Sequence, residues 1–217
     1  MNFQEFLTRS ITGLLFSFII LASLFFLPFW IFYTLLATIL FLILCTELPQ
    51  LSRSAQNYLI LATCYLGVPF ALLAYMAYQN IKLVQLLFVI AFCHDTAAYL
   101  VGNLIGKHLL APSLSPKKTW EGFLGGLIAV FIVLLAFKPW ALSNAYFAAL
   151  SILIALVATG GDLFESWLKR CAQRKDAGTL LPGHGGLLDR FDSIIALIPL
   201  FYVLQSFLAK PLALFLH

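Results

Sequence analysis

Gly161–Ser193, GDLFESWLKRCAQRKDAGTLLPGHGGLLDRFDS, is the stretch on which the reading of this chain turns. It holds nearly half of the chain's 22 charged residues, counting 13 Lys and Arg with 9 Asp and Glu, and it overlaps the end of a long apolar run. A charge left in hydrocarbon costs several kcal/mol. Such a cluster at the end of an apolar helix marks a polar reaction site at a membrane boundary.

The rest of the chain is the apolar background against which that cluster stands out. Of 217 residues 62% are hydrophobic, 21 are Phe, and the mean hydropathy is +0.99. Soluble domains are about 45–50% apolar and about 25% charged, so this composition implies an all-α polytopic integral membrane protein. A bilayer-spanning helix needs about 20 mostly apolar residues. Seven runs approach that: Ser10–Leu27, Phe29–Cys45, Tyr58–Tyr78, Leu83–Ile105, Phe123–Phe137, Ala145–Leu168 and Ile194–Leu216. Only Pro28 separates the first two, and the first reads as a retained helix because no small-x-small cleavage site follows it clearly. Residues 1–82 read as a transmembrane scaffold, continuous with a catalytic membrane region over 83–217. Cys45, Cys64, Cys93 and Cys171 have neither metal nor disulfide spacing.

Lys and Arg placement sets the expected orientation. With seven helices and a cytoplasmic N-terminus, ten basic residues (Arg9, Arg53, Lys107, Lys117, Lys118, Lys169, Arg170, Arg174, Lys175 and Arg190) fall inside. Lys82, Lys138 and Lys210 fall outside, and both long polar connections, Gly106–Gly122 and Lys169–Arg190, share the cytoplasmic face. A net charge of +4 suits anionic headgroups or a soluble polyphosphate. Nucleic acid is set aside, because no platform of basic and aromatic residues stands clear of the membrane.

Asp162 begins the polar end of the sixth helix, where Ser166 and Lys169 share its face and Glu165 can pair with Lys169. Gly183, Gly185 and Gly186 surround His184 in a loop whose N–H groups could form an anion nest, or a plain turn. Asp189 and Asp192 are three apart, and Asp189 with Asp162 makes a carboxylate pair from two helix ends. Magnesium takes one or two carboxylates plus substrate phosphate oxygens, which suits phosphoryl or nucleotidyl transfer. Lys117 and Lys118 are placed to hold phosphates, or to anchor the loop on the positive-inside face. Thr119 can cap the fifth helix with Gly122, and Glu121 suits its first turn. Asp95 lies inside the fourth apolar run and needs a partner there; His94 beside it faces elsewhere on a helix. Zinc and serine-hydrolase spacings are missing.

Taken together, Ser166-x-x-Lys169-Arg170, Lys175-Asp176-x-Gly178, Pro182-Gly183-His184-Gly185-Gly186 and Asp189-Arg190-x-Asp192 resemble the motif of the phosphatidate cytidylyltransferases (CDP-diacylglycerol synthases). Asp95-Thr96-x-x-Tyr99, Gly106-Lys107, Ser115–Gly122 and Gly161–Ser166 are similar to the same family, so the resemblance covers roughly Asp95 to Ser193. Ala97 stands where the family often has glycine, and the chain is shorter than many members. The resemblance implies attack of a phosphatidic acid phosphate oxygen on the α-phosphorus of CTP, with magnesium, alone or with a second cation. It implies a catalytic set of Asp162, Asp189, Lys169, Arg170, Lys175, Asp176, His184 and Asp192, with Asp162 and Asp189 at the metal. It implies a substrate-binding set of Asp95, Lys117, Lys118, Thr119, Glu121, Ser166, Gly183, Gly185, Gly186 and Arg190. The partners implied are CTP, phosphatidic acid and membrane lipid, with room for a homodimer, in the bacterial inner membrane with the site facing the cytoplasm. Three alternatives stand beside it: an isoprenoid-type lipid phosphate as acceptor, a non-catalytic relative, and a small transporter, against which no inverted repeat is visible.

Overall fold

Each of the seven apolar runs forms a helix in the structure, a computed structural model that describes residues 15–137, 144–180 and 185–215. They are α1 (Leu15–Phe25), α2 (Phe29–Leu51), α3 (Ala55–Gln79), α4 (Ile81–Ile105), α5 (Trp120–Ala136), α6 (Asn144–Cys171) and α7 (Asp192–Phe215). By length and composition α2, α3, α4 and the Ala145–Cys171 part of α6 can each cross a bilayer, while the described apolar stretches of α1, α5 and α7 are shorter. The chain is a helical integral membrane protein. Large apolar side chains such as Phe18, Trp30, Leu104 and Ile128 remain exposed around the bundle, as a lipid-facing surface requires.

The all-α expectation needs one amendment. The Gly106–Gly122 connection holds an antiparallel hairpin, β1 (Leu109–Ala111) and β2 (Ser115–Thr119). Its backbone groups pair with one another, and the Trp120 N–H donates to His108 O at 2.9 Å. The hairpin ends where Thr119 caps α5, its Oγ1 accepting from the Gly122 N–H at 3.1 Å, as the local sequence predicts.

Two helices of the N-terminal part contain widened turns. Ile43–Glu47 in α2 and Leu61–Gly67 in α3 are π-helical. Pro49 and Pro69 follow these turns closely. A proline has no N–H and its ring collides with the carbonyl four residues back, here that of Cys45 or Tyr65. A π turn at that point relieves the collision without ending the helix. The widened turns carry Glu47 and Tyr65.

α4 and α5 pack closely because α5 presents small residues to α4. A Cβ at Gly122 would lie 2.7 Å from the Ala98 carbonyl oxygen, and one at Gly126 would lie 2.7 Å from His94 Cδ2. One apolar core runs from Ile20 in α1 to Phe201 in α7. Its aromatic centre is Phe191, fully buried, whose ring meets Phe16, Phe70 and Phe88 at centroid distances of 6.0, 5.8 and 6.3 Å. Phe191 stands between Arg190 and Asp192, so burying that one ring fixes where the charged residues on either side emerge.

Candidate active site

The two polar connections meet. A cavity of about 330 Å³ is lined by Asp95 and Tyr99 of α4, Lys117 and Lys118 of the hairpin, Asp162 of α6, and Asp189, Arg190 and Asp192 ahead of and at the start of α7. Lys118 ties the hairpin to α6, its Nζ 2.5 Å from Asp162 Oδ2. On α6 itself the helical spacing acts as expected: Ser166 Oγ donates to Asp162 Oδ1 at 3.5 Å, and Lys169 Nζ lies 2.6 Å from Glu165 Oε2. Lys169 also reaches Asp189 Oδ1 at 2.6 Å. The lysine, its side chain 11% exposed, thus joins α6 to the loop ahead of α7.

Asp189 is gripped on its other oxygen as well. Oδ2 accepts the N–H groups of Ala177 at 3.0 Å and Gly186 at 2.7 Å. Gly185 has φ +81°, and a Cβ there would sit 2.7 Å from Asp189 Oδ2, so glycine is required both by the backbone conformation and by the approach of the carboxylate. Two amides of this loop, those of Ala177 and Gly186, therefore turn towards a carboxylate of the chain itself, where the sequence leaves open a nest for a substrate anion or a plain turn. Gly183 and His184, the other loop residues singled out from the sequence, lie outside the described residues.

Asp162, Glu165 and Asp192 present carboxylate oxygens that all lie within 4.8 Å of one another. Three hard oxygen donors at that spacing fit a divalent cation such as magnesium. Glu165 is fully buried, and its Oε1 has no hydrogen-bond partner among the described residues, so the donor set has an open valence. Asp192 Oδ1 accepts the Ser193 N–H at 2.7 Å, and Asp95 Oδ2 accepts from Ser193 Oγ at 2.8 Å. That hydroxyl is the partner Asp95 needs on a membrane helix. His94 Nδ1 lies 2.9 Å from Asp95 Oδ1, which orients the carboxylate from its neighbour.

Other residues named from the sequence sit apart from the cavity wall. Arg170, Lys175 and Asp176 are exposed, and Arg170 Nη1 donates to the Arg174 carbonyl at 2.9 Å, closing the end of α6. Glu121 faces back towards the hairpin, its Oε1 2.6 Å from His108 Nδ1, so it pins the residue ahead of β1 to the start of α5. Sequence reasoning passed over two residues. Tyr65 brings a buried hydroxyl within electrostatic reach of Glu165, Asp192, Asp162 and Asp189, with no hydrogen-bond partner among the described residues. Glu47 is wholly buried and accepts the N–H groups of Leu187 and Leu188 at 2.7 and 2.8 Å. The available signal was a carboxylate inside the apolar segment ILCTELPQL, which cannot stay there without partners.

Comparison with known proteins points the same way as the cavity. Residues 3–208 match the Cytidylyltransferase family. A protein named phosphatidate cytidylyltransferase from Rickettsia typhi is 35% identical over 221 residues, covering 94% of each chain. The protein of that name from Staphylococcus haemolyticus is 38% identical over 162 residues, 71% of this chain and 62% of that one. Its counterpart in Staphylococcus aureus is 37% identical over the same length, so the chain spans about three-fifths of these longer staphylococcal relatives.

Proposed function

Since the chain belongs to the cytidylyltransferase family, we propose that it carries out the reaction its relatives are named for, moving the cytidylyl group of CTP onto phosphatidic acid. The observation that carries this reading is the convergence of Lys117, Lys118 and Arg190 with the carboxylates of Asp162 and Asp192 around one cavity at the polar end of the bundle. Such mixed charge suits a triphosphate together with a divalent cation.

In the reaction a phosphate oxygen of phosphatidic acid forms a bond to the α-phosphorus of CTP. The bond from that phosphorus to the oxygen bridging to the β-phosphate breaks, and pyrophosphate leaves with the electron pair. The lipid phosphate is already anionic and nucleophilic, so the chain need supply no general base. Lys117 and Lys118 draw the triphosphate over Asp162, because Lys118 already reaches that carboxylate. Arg190, next to buried Phe191, adds positive charge to the same cavity. Asp162 is common to the pair expected from the sequence and to the clustered trio with Glu165 and Asp192; Asp189 is engaged by Lys169 and two amides, which favours the trio as the magnesium ligands. Magnesium held there would offset the charge that builds on the triphosphate. We place this face in the cytoplasm of a bacterial inner membrane, on the asymmetry of ten basic residues against three.

The deciding assay is conversion of labelled CTP by the purified protein in detergent with phosphatidic acid and magnesium. CDP-diacylglycerol that disappears on chelation is the expected result. Product from another lipid phosphate but not from phosphatidic acid would replace the acceptor, and no product from any would favour a non-catalytic role. Replacing Lys117 and Lys118 together by Ala is expected to raise the KM for CTP roughly 10- to 100-fold, the loss of one or two charge-assisted contacts. An unchanged KM would reduce the hairpin to a membrane anchor. A cysteine at Ser113, exposed between the two strands, is expected to react with impermeant thiol reagents only from the cytoplasmic side of oriented vesicles. Labelling solely from the other side would invert the topology.

A further inference from the structure

We propose that Glu47 is a positioning residue for this reaction: through the backbone N–H groups of Leu187 and Leu188 it sets the aim of Asp189, Arg190 and Asp192 into the cavity. The kinetic part of the argument rests on the function proposed above; the structural part does not.

Glu47 stands far from the charged segment in sequence, on the π turn of α2, 140 residues before Leu187. A carboxylate with no solvent exposure must have both oxygens satisfied. Among the described residues no cation lies within ion-pair distance of it. Each oxygen accepts one amide, Leu187 on Oε1 and Leu188 on Oε2. Those N–H groups open the 3₁₀ turn Leu188–Arg190, where the first amides of a helical turn lack partners within the turn. Glu47 thus caps a turn that belongs to another part of the chain.

The surroundings are shaped to that carboxylate. A Cβ at Gly178 would lie 2.8 Å from Glu47 Cγ, and one at Gly186 would lie 2.7 Å from Glu47 Oε1. Two glycines on either side of the loop are therefore needed to admit it. The consequence passes directly along the backbone. Gly186 donates to Asp189 Oδ2, Leu187 and Leu188 donate to Glu47, and the next residue is Asp189, which meets Lys169. A shift at Leu187–Leu188 displaces Asp189 and Arg190, and beyond Phe191 it disturbs Asp192. The hairpin lysines are carried by β2, which packs on α4 and α5 rather than on this loop.

The test is kinetics and hydrogen exchange on full-length Glu47→Gln protein in detergent. The amide keeps the shape of the side chain but turns an N–H₂ towards a backbone N–H. With CTP, phosphatidic acid and magnesium, kcat is expected to fall about 100-fold, the scale of a misplaced reacting group. The KM for CTP is expected to change far less than kcat, because the hairpin contacts remain and only Arg190 among the cations around the triphosphate shifts. Exchange at the Leu187 and Leu188 amides is expected to rise roughly tenfold or more while α4 is unchanged. Where Glu47→Gln does not yield folded protein, Glu47→Asp, which keeps the charge with a shorter reach, is expected to show the same split at smaller amplitude. Unaltered exchange at these two amides overturns the proposal, as does a lowered melting temperature with kcat unchanged. Should wild-type protein turn over no lipid phosphate, the function reading fails by itself, and the exchange measurement still decides whether Glu47 holds the loop.

Discussion

Asp162→Asn protein is expected to convert CTP about 10³-fold more slowly than wild type, the upper range for losing one preorganised electrostatic contact. Asp162 is the junction of the site. It meets Lys118 at 2.5 Å and Ser166 at 3.5 Å, and its carboxylate clusters with those of Glu165 and Asp192. An asparagine there takes one carboxylate out of the trio and presents N–H donors to any cation. The stability change is expected to be small. Relief of crowding among three carboxylates within 4.8 Å offsets the loss of the partly exposed Lys118 pair, so the melting temperature stays close to wild type in metal-free buffer. Added magnesium raises the melting temperature of wild type through preferential binding to the folded state, and this rise is expected to shrink or vanish in the variant. Turnover within tenfold of wild type, or an undiminished magnesium shift, would remove Asp162 from the metal site.

Lys169→Met is expected to fail differently, losing stability and activity together. Lys169 Nζ stands 2.6 Å from both Glu165 and Asp189, and the three side chains are only 11%, 0% and 9% exposed. Methionine matches the length of the lysine stem but leaves two buried carboxylates facing each other. Breaking a buried ion pair by removing one partner costs about 3–5 kcal/mol. Thermal unfolding of the purified protein should show a large drop in midpoint, and turnover should be lost because Asp189 is no longer drawn towards α6. Lys169→Arg keeps the charge, and its planar fork can meet two carboxylates, so an intermediate midpoint is expected. A midpoint equal to wild type for Lys169→Met would mean that the lysine does not bridge α6 to the loop in solution. Measured side by side, Asp162→Asn and Lys169→Met separate charges that serve the reaction from charges that hold the site together.

Much of this architecture follows from local rules. The apolar runs become helices because a membrane span must satisfy its own backbone, and within the described residues each run is helical, four of the helices being long and apolar enough to cross a bilayer. The Asp162–Ser166 and Glu165–Lys169 relations follow from the four-residue spacing of neighbours on one helical face. The Thr119 cap needs only a hydroxyl three residues ahead of an amide. The family resemblance, too, is carried by short motifs whose spacing is visible in the chain.

What the sequence by itself determined is therefore the helices, their polar ends and the residue types gathered there. The partners across the bundle were decided by tertiary structure alone. The Glu165 partner of Lys169 is legible on one helical face, but its second partner, Asp189, comes only from the folded chain. The loop amides looked available to a ligand, yet Asp189 and Glu47 take those of Ala177, Gly186, Leu187 and Leu188. Glu47 gave no sign of its role, because the turn it caps lies 140 residues away and no spacing rule connects them. Helical periodicity reports which side chains share a face, but not which face meets which. That is settled only when Phe191 is buried against α1, α3 and α4, bringing the start of α7 and the loop before it to the π turn of α2.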